Sequence, residues 1–298
     1  MDKLPTHIAY SDESYYTASR YRSVAVVTLN VPQDQKVSQV IRRLLDDSKV
    51  KEFKWGKLRQ ARERFAALKM IDKAVELSIQ GQLRVDVLVW DTYDARHSLS
   101  GRDDVANLQR MYYHLFKNVL QCRWPTGATW QLCPDENSAL EWNTVHDFLS
   151  AAGSNRRVEC GLFDKGGFRL RLEREFNIFD ILEVCSADMP ICQLSDLFAG
   201  LGVYSHASYD KYQCWLQSQS SQMVLDLGLP KIQQKFSNRD HERFVVMNYL
   251  DERCKQSKLR VGLRSSRGFR TYDPRFPINF WMYEPQHPDD KAPIKGKM

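Results

Sequence analysis

The chain opens with two short apolar runs that predict a β-hairpin. The first, at residues 8–10, leads directly into Ser11-Asp12-Glu13-Ser14, and the second spans residues 23–29. Strand ends are rigid positions, so acids placed there can be aimed at a metal ion or a substrate. The sequence therefore predicts a hairpin that carries carboxylates at one end.

Hydrophobic periodicity predicts alternating helices and strands after the hairpin and a turn at residues 31–33. The predicted helices lie at 36–45, 58–79, 104–121, around 147–149, at 190–204 and within 211–255. The predicted further strands lie at 83–91, 128–136, 158–163, 180–185 and 277–283. The helix at 190–204 is apolar on all sides, which predicts burial. This alternation predicts a mixed α/β sheet.

Composition narrows the class of protein. Hydrophobic residues make up 43% and charged residues 27% of 298 positions, values typical of a globular protein. No apolar stretch approaches the roughly 20 residues of a membrane span, and no signal peptide is recognised at the N-terminus. The seven cysteines are scattered without a CxxC pair, which favours reduced thiols. We therefore expect a cytoplasmic protein without membrane association.

The net charge of +6 is concentrated near the C-terminus. Residues 251–298 contain 11 lysines or arginines and 6 acids. Within this segment Arg264, Arg267 and Arg270 alternate with glycine and aromatic residues, which is typical of a surface that binds phosphates. A flexible, solvated basic extension explains the same pattern equally well.

Acids follow three predicted strands and enter one predicted helix. Asp12-Glu13, Asp135-Glu136 and Asp188 follow strands, Glu52 precedes the long helix, and Asp196 lies in the early turns of the buried helix. Carboxylates that crowd together repel one another unless a cation joins them, and hard divalent cations prefer oxygen ligands. The pattern therefore indicates a metal site.

Each acid also has an ordinary structural interpretation. Asp12 and Asp135 suit turns or caps, and Asp188 suits the N-cap of a helix that has Pro190 at an early position. Asp196 is the strongest candidate because its neighbours are apolar, and a buried aspartate needs a partner.

These segments resemble the domain of unknown function 3800 family. The similarity lies in Asp12-Glu13-Ser14, in Glu52-Phe53-Lys54-Trp55, in Asp135 after a strand, and in the run from Asp188 through Gln193-Leu194-Ser195-Asp196-Leu197. It covers roughly residues 6–205. The family is regarded as ribonuclease H-like, which implies a metal-dependent nuclease with acids on the first strand, in the middle of the domain and on a late helix.

The resemblance also implies a role for each residue. The implied catalytic acids and metal ligands are Asp12, Glu52, Asp135 and Asp196, with Glu13 and Asp188 as additional metal ligands. Lys54 could contact a phosphate, and Gln193 could orient the cluster or a phosphate. Arg264, Arg267 and Arg270 lie beyond the resemblance and are candidates for binding a strand through their own pattern. The implied cofactor is Mg²⁺ or Mn²⁺, with a two-ion site possible, and the implied partner is DNA or RNA.

From these observations we expect a ribonuclease H-like α/β domain at 1–205 and a C-terminal extension at 206–298, helical at first and then basic and arginine-rich. The expected reaction is phosphodiester hydrolysis by a metal-activated water that attacks phosphorus in line. The alternative is a non-catalytic nucleic-acid or protein binding module on the same fold. Convergence or separation of Asp12, Asp135 and Asp196 in space discriminates between the two.

Overall fold

A computed structural model describes residues 4–15, 20–93, 104–136, 138, 140, 142, 176–223, 236–263 and 267–284. The helix predicted around 147–149, the strand predicted at 158–163 and the side chain of Arg264 lie outside the described residues.

A six-stranded mixed sheet forms the centre of the molecule. Its strands are β1 (His7–Tyr15), β2 (Tyr21–Asn30), β3 (Leu83–Asp91), β4 (Trp130–Pro134), β5 (Ile178–Ile181) and β8 (Ile278–Met282). They lie in the order β5-β4-β1-β2-β3-β8. Strands β1, β2 and β3 form an antiparallel meander, whereas β4 is parallel to β1, β5 to β4, and β8 to β3. Two further short strands, β6 (Val261–Gly262) and β7 (Arg270–Thr271), pair with each other.

The inner strands are apolar on both faces because helices cover both sides of the sheet. In β3, Val85, Val87 and Val89 face one hydrophobic core, while Leu88 and Trp90 face the other. The strand predicted at 83–91 is confirmed with these bounds. The mixed α/β class predicted from the sequence is likewise confirmed.

Six α-helices and one short 3₁₀ turn are found among the described residues. They are α1 (Val31–Asp47), the 3₁₀ turn (Trp55–Lys57), α2 (Ala61–Ile79), α3 (Asp104–Val119), α4 (Pro190–Ala207), α5 (Tyr209–Met223) and α6 (Asn238–Gln256). Helix α1 begins at Val31, so the turn predicted at 31–33 is wrong. Its proline lies in the first turn of the helix, where the missing N–H removes no hydrogen bond.

Helix α4 crosses the sheet and is buried from Pro190 to Ser205, which confirms the predicted buried helix. It contacts β1, β2 and β3. A Cβ atom on Gly202 would lie 2.9 Å from Cγ1 of Val87, so glycine allows the helix to approach the sheet closely. Helices α1, α2, α4 and α6 share the larger core, and α3 covers the opposite face.

Residues 238–284 contribute to the same core. Helix α6 packs against α2, and β8 adds to the sheet beside β3. Strand β8 agrees with the strand predicted at 277–283. None of the helices in the described part of the chain is long and apolar enough to span a membrane.

Candidate functional site

Three aspartates meet where β1, β4 and α4 come together. Asp12 lies in β1, Asp135 directly follows β4, and Asp196 lies in the second turn of α4. The N–H of Asp135 donates to the carbonyl oxygen of Ser11 at 3.0 Å, which fixes the end of β4 against β1. The Ser195 hydroxyl donates to the carbonyl oxygen of Tyr10 at 2.9 Å, which holds α4 against β1 beside Asp196. Two parallel strands and a crossing helix therefore position the three carboxylates.

The Lys54 ammonium lies among these three acids. Its Nζ is 2.7 Å from Oδ2 of Asp135, whose side chain is 1% exposed, and 3.8 Å from Oε1 of Glu52. Burial lowers the pKa of Lys54, but the hydrogen bond with Asp135 and the charges of Asp12, Asp135 and Asp196 outweigh it, so the pKa lies above its ordinary value. Lys54 thus supplies the positive charge that the clustered carboxylates require.

Asp12 and Asp196 hold their protons more tightly than free carboxyl groups. Burial, followed by the charges of Asp196, Asp135 and Glu13, raises the pKa of Asp12 well above its ordinary value, although Lys54 opposes this. Burial raises the pKa of Asp196 to about 6, although the hydrogen bond from the Trp55 N–H and the charge of Lys54 lower it. The cluster therefore carries more negative charge than one lysine stabilises, and a further cation would be favourable there.

One oxygen of each of two aspartates is held by a backbone N–H. Oδ1 of Asp12 accepts from the N–H of Glu13 at 2.8 Å, and Oδ2 of Asp196 accepts from the N–H of Trp55 at 2.6 Å. Within the described part of the chain, no hydrogen bond engages the second oxygen of either carboxylate, and both side chains are slightly exposed. These two oxygens are oriented and open to a ligand.

Glu52 borders the cluster and is joined to α4 through the side chains around it. Its Oε1 accepts from the Ser186 hydroxyl at 2.8 Å. Gln193 is fully buried; its Oε1 accepts from the N–H of Phe53 at 2.7 Å, and its Nε2 donates to the carbonyl oxygen of Ser186 at 2.7 Å. Both ends of the Gln193 amide are thus used to fix the segment that carries Glu52 and Lys54, so Gln193 orients the cluster.

Glu13 points away from the three aspartates because successive strand residues face opposite sides of a sheet. Its Oε2 accepts from the Tyr112 hydroxyl of α3 at 2.7 Å and from the Ser138 hydroxyl at 3.1 Å. Glu13 therefore follows Asp12 in the chain, but its side chain faces α3 and not the cluster.

The remaining candidates that the structure describes make no contact with the three aspartates among the described residues. Asp188 is exposed and precedes α4; the N-cap residue is Met189, so an N-cap role for Asp188 is wrong. Arg267 lies close enough to Tyr21 for its charge to act on the pKa of that hydroxyl, which burial raises. Arg270 begins β7 and is exposed. None of the contacts among the described residues joins Arg267 or Arg270 to the three aspartates.

Two residues that support the site had no role in it predicted from the sequence: Trp55, named only as part of a motif, and Arg243, not named at all. Trp55 lies over Gly200 of α4, where a Cβ atom would approach Cγ of the indole to 2.1 Å. Arg243 of α6 is fully buried, donates from Nη2 to the carbonyl oxygen of Trp55 at 2.6 Å and lies 4.8 Å from the indole centroid. An arginine directly before the apolar run at residues 244–247 of a predicted helix was the available signal, but its partner is distant in sequence.

The side chains of the cluster have the chemistry that a hard divalent cation requires, but their spacing does not suit one. Every candidate ligand is a carboxylate, which Mg²⁺ and Mn²⁺ prefer. Across the described ranges, no group of three or more histidine, cysteine, aspartate or glutamate side chains is spaced to hold a metal ion. Lys54, hydrogen-bonded to Asp135, lies between the carboxylates instead. The open oxygens of Asp12 and Asp196 have the chemistry of metal ligands, whereas Lys54 occupies an oxygen of Asp135.

The molecule is thus a mixed α/β protein with a buried acidic cluster near the C-terminal ends of the neighbouring strands β1 and β4. No family model matches the chain. It is 38% identical over 303 residues to uncharacterized protein ORF2′ of Methanothermobacter thermautotrophicus, an alignment covering 99% of this chain and 100% of that protein. It is 37% identical over 294 residues to uncharacterized protein ORF2 of the same organism, covering 96% and 97% respectively. The chain belongs to the family of these two proteins.

Proposed function

We propose that the protein is a ribonuclease H-like, divalent-metal-dependent nuclease. The observation that carries this proposal is the meeting of Asp12, Asp135 and Asp196 around one ammonium group. The resemblance to the domain of unknown function 3800 family implies acids on the first strand, in the middle of the domain and on a late helix. The positions of these three residues in β1, after β4 and in α4 agree with that pattern.

Asp12 and Asp196 would hold a Mg²⁺ or Mn²⁺ ion, with Asp135 and Glu52 beside them. The bound cation supplies Lewis acidity for phosphodiester hydrolysis. The backbone N–H groups of Glu13 and Trp55 keep the carboxylates of Asp12 and Asp196 in a fixed orientation, whereas Asp135 would have to leave Lys54 when the ion binds. Gln193 fixes the segment that carries Glu52 and Lys54.

Lys54 would have two roles in this proposal. Without a metal ion it stabilises the buried carboxylate of Asp135. When a nucleic acid is bound, its ammonium, 23% exposed, meets a phosphate oxygen as a point charge. The substrate is a DNA or RNA strand, whose phosphates the positively charged protein attracts.

A second candidate function is a non-catalytic binding module on the same fold. The Lys54–Asp135 ion pair favours it, because a lysine in place of a metal ion stabilises buried acids without conferring Lewis acidity. In that case the cluster is structural, and only nucleic-acid or protein binding remains.

A cleavage assay discriminates between the two functions. Wild type, Asp196→Asn and Asp46→Asn are incubated with labelled single- and double-stranded DNA and RNA, in Mg²⁺, Mn²⁺ or EDTA. Asp46 is an exposed acid of α1, so its substitution changes the net charge equally without touching the cluster. We expect metal-dependent cleavage by wild type and Asp46→Asn, and a loss on the order of 10²-fold or more in Asp196→Asn. Equal cleavage by Asp196→Asn contradicts the nuclease proposal, and no cleavage by any protein favours the binding module.

A further inference from the structure

A basic cavity lies at the C-terminal end of helix α6, away from the acidic cluster. Its volume is about 620 Å³, and it lies between the end of α6, the strand β6 and Tyr272. Arg243, which contacts Trp55 at the cluster, precedes Cys254 of this cavity by eleven residues of one helix. At 1.5 Å per residue this places Cys254 about 16 Å from Arg243 along the helix axis. The two sites are therefore separate.

Three cations line this cavity, and two of them form no ion pair within the described part of the chain. Lys255 is 2.5 Å from Oδ2 of the buried Asp251, whose other oxygen accepts from the N–H of Leu263. Lys258 and Arg260 are exposed, and neither forms an ion pair with any acid in the described ranges. Asp273, whose pKa Arg275 and then Arg260 lower to about 2, is bound by Arg275. The cavity thus presents unneutralised positive charge.

The remaining lining of the cavity is apolar and aromatic. Cys254 and Val261 are buried at its base, and Tyr272, 59% exposed, lines its side. The N–H of Tyr272 donates to the carbonyl oxygen of Arg260 at 3.0 Å, so the ring and the guanidinium are held on neighbouring backbone segments. Cations beside an exposed aromatic ring are the combination that binds a nucleotide, because phosphate oxygens meet the cations while the base stacks on the ring.

We propose that this cavity binds a nucleotide unit, with its phosphate at Lys258 and Arg260 and its base against Tyr272. The unit is a free nucleotide or one residue of a single strand, since both present the same chemistry. This inference does not rest on the nuclease proposal, because it uses none of the residues of the acidic cluster. It adds a site for the chain to hold nucleic acid away from the acids.

The chain offers a matched control for Lys258. Lys258 has a left-handed backbone (φ 56°) directly after α6, and Lys49 has the same backbone (φ 55°) directly after α1. Both helix ends carry the same pair of hydrogen bonds, from the lysine N–H and from the following N–H back into the last turn. Lys258→Gly and Lys49→Gly therefore relieve the same backbone strain and remove the same charge, but only Lys258 lines the cavity.

Fluorescence anisotropy with a short labelled oligothymidylate, in EDTA to prevent cleavage, tests the proposal on the full chain. We expect Lys258→Gly and Arg260→Gln each to weaken binding about threefold to tenfold, and each to reduce the slope of log affinity against log salt by about 0.7. Tyr272→Ala weakens binding to a similar extent without changing that slope. Lys49→Gly binds like wild type, although its midpoint of thermal unfolding rises as in Lys258→Gly.

Unlabelled AMP as competitor distinguishes the two sources of the nucleotide. If AMP displaces the strand, the cavity binds a single nucleotide. If AMP does not displace it, the cavity contacts a longer segment of the strand. Both results support the proposal. Wild type that does not bind, or a Lys258→Gly, Arg260→Gln double variant that binds like wild type, overturns it. Neither result bears on cleavage, which depends on Asp196 and is scored separately.

Discussion

At the residue scale, the buried charges of Asp12 and Asp196 lower the stability of the metal-free protein. A buried carboxyl group with a raised pKa is easier to protonate in the folded chain than in the unfolded chain. For Asp196 the two pKa values are about 6 and an ordinary value of 3.8. Between them the folded state binds more protons, so stability falls as pH rises through this window and stays lower above it.

We therefore predict that Asp196→Asn stabilises the protein in EDTA at pH 7.5. The amide keeps an oxygen for the N–H of Trp55 but removes a charge that burial disfavours. The expected gain in the free energy of unfolding is on the order of 1–2 kcal/mol, less than the full pKa difference implies because neighbouring carboxyls titrate together. Urea unfolding at pH 7.5 and pH 4 measures it, and the gain disappears at pH 4.

Asp46→Asn is the control for this prediction, since it makes the same substitution at an exposed position. Its free energy of unfolding should stay within about 0.5 kcal/mol of wild type at both pH values. A loss of stability in Asp196→Asn at pH 7.5 would show that the charged carboxylate stabilises the folded protein. That result would contradict the raised pKa of Asp196.

Local sequence patterns predicted single residues of the site but not their distant partners. Asp196 was predicted to need a partner because its sequence neighbours are apolar, which is a local property. The ion pair of Lys54 with Asp135 joins residues 81 positions apart, and no local pattern encodes it. The contact of Arg243 with Trp55 spans 188 positions. Such partners follow from tertiary packing and were not predictable from periodicity.

At the element scale, two glycines allow α4 to lie close to its neighbours. Gly200 faces Trp55, and Gly202 faces Val87 and Val89 of β3. Because Gly200 is one helical turn after Asp196, the indole over Gly200 places the Trp55 N–H beside the Asp196 carboxylate. The packing of one helix thus sets the geometry of the cluster.

We predict that Gly200→Ala destabilises the protein by about 2–3 kcal/mol, because the new methyl group would lie 2.1 Å from Cγ of Trp55. Displacement of the indole should also weaken the hydrogen bond from the Trp55 N–H to Asp196. Thermal unfolding measures the first effect, and hydrogen exchange of the Trp55 amide reports the second. In Gly56→Ala the added methyl meets nothing within 4 Å, so this variant should unfold like wild type. Equal stability of the two variants would exclude the close contact.

Elements with strong periodicity were predictable, and those set by long-range pairing were less so. The strand at 83–91 and the buried helix α4 were predicted from their apolar patterns. Strand β5 was expected at 180–185 but pairs with β4 at Ile178–Ile181, because the register with β4 decides its bounds. Helix α1 starts at Val31 since proline is compatible with a first helical turn, which a turn prediction at Pro32 overlooked.

At the scale of the whole molecule, the C-terminal part completes the core on which the acidic cluster rests. Strand β8 extends the sheet beside β3, and Phe280 on it is fully buried, 4.9 Å from the Phe269 centroid and 6.1 Å from that of Phe198 in α4. Arg243 joins α6 to the segment that carries Lys54. The sequence pattern weakens after residue 209, yet these contacts make 238–284 part of one hydrophobic core.

We predict that Phe280→Ala lowers the stability of the whole chain by about 3–4 kcal/mol, because it empties a fully buried ring position between β8 and α4. Unfolding in urea followed by tryptophan fluorescence and by circular dichroism should give coincident transitions at a lower midpoint, since the core is shared. Phe179→Ala is the matched control: that ring, on β5, is 52% exposed, and its removal should change stability by less than about 0.5 kcal/mol. If Phe280→Ala split the transition and left one part at the wild-type midpoint, residues 206–298 would unfold as a separate unit and the acidic cluster would not depend on them.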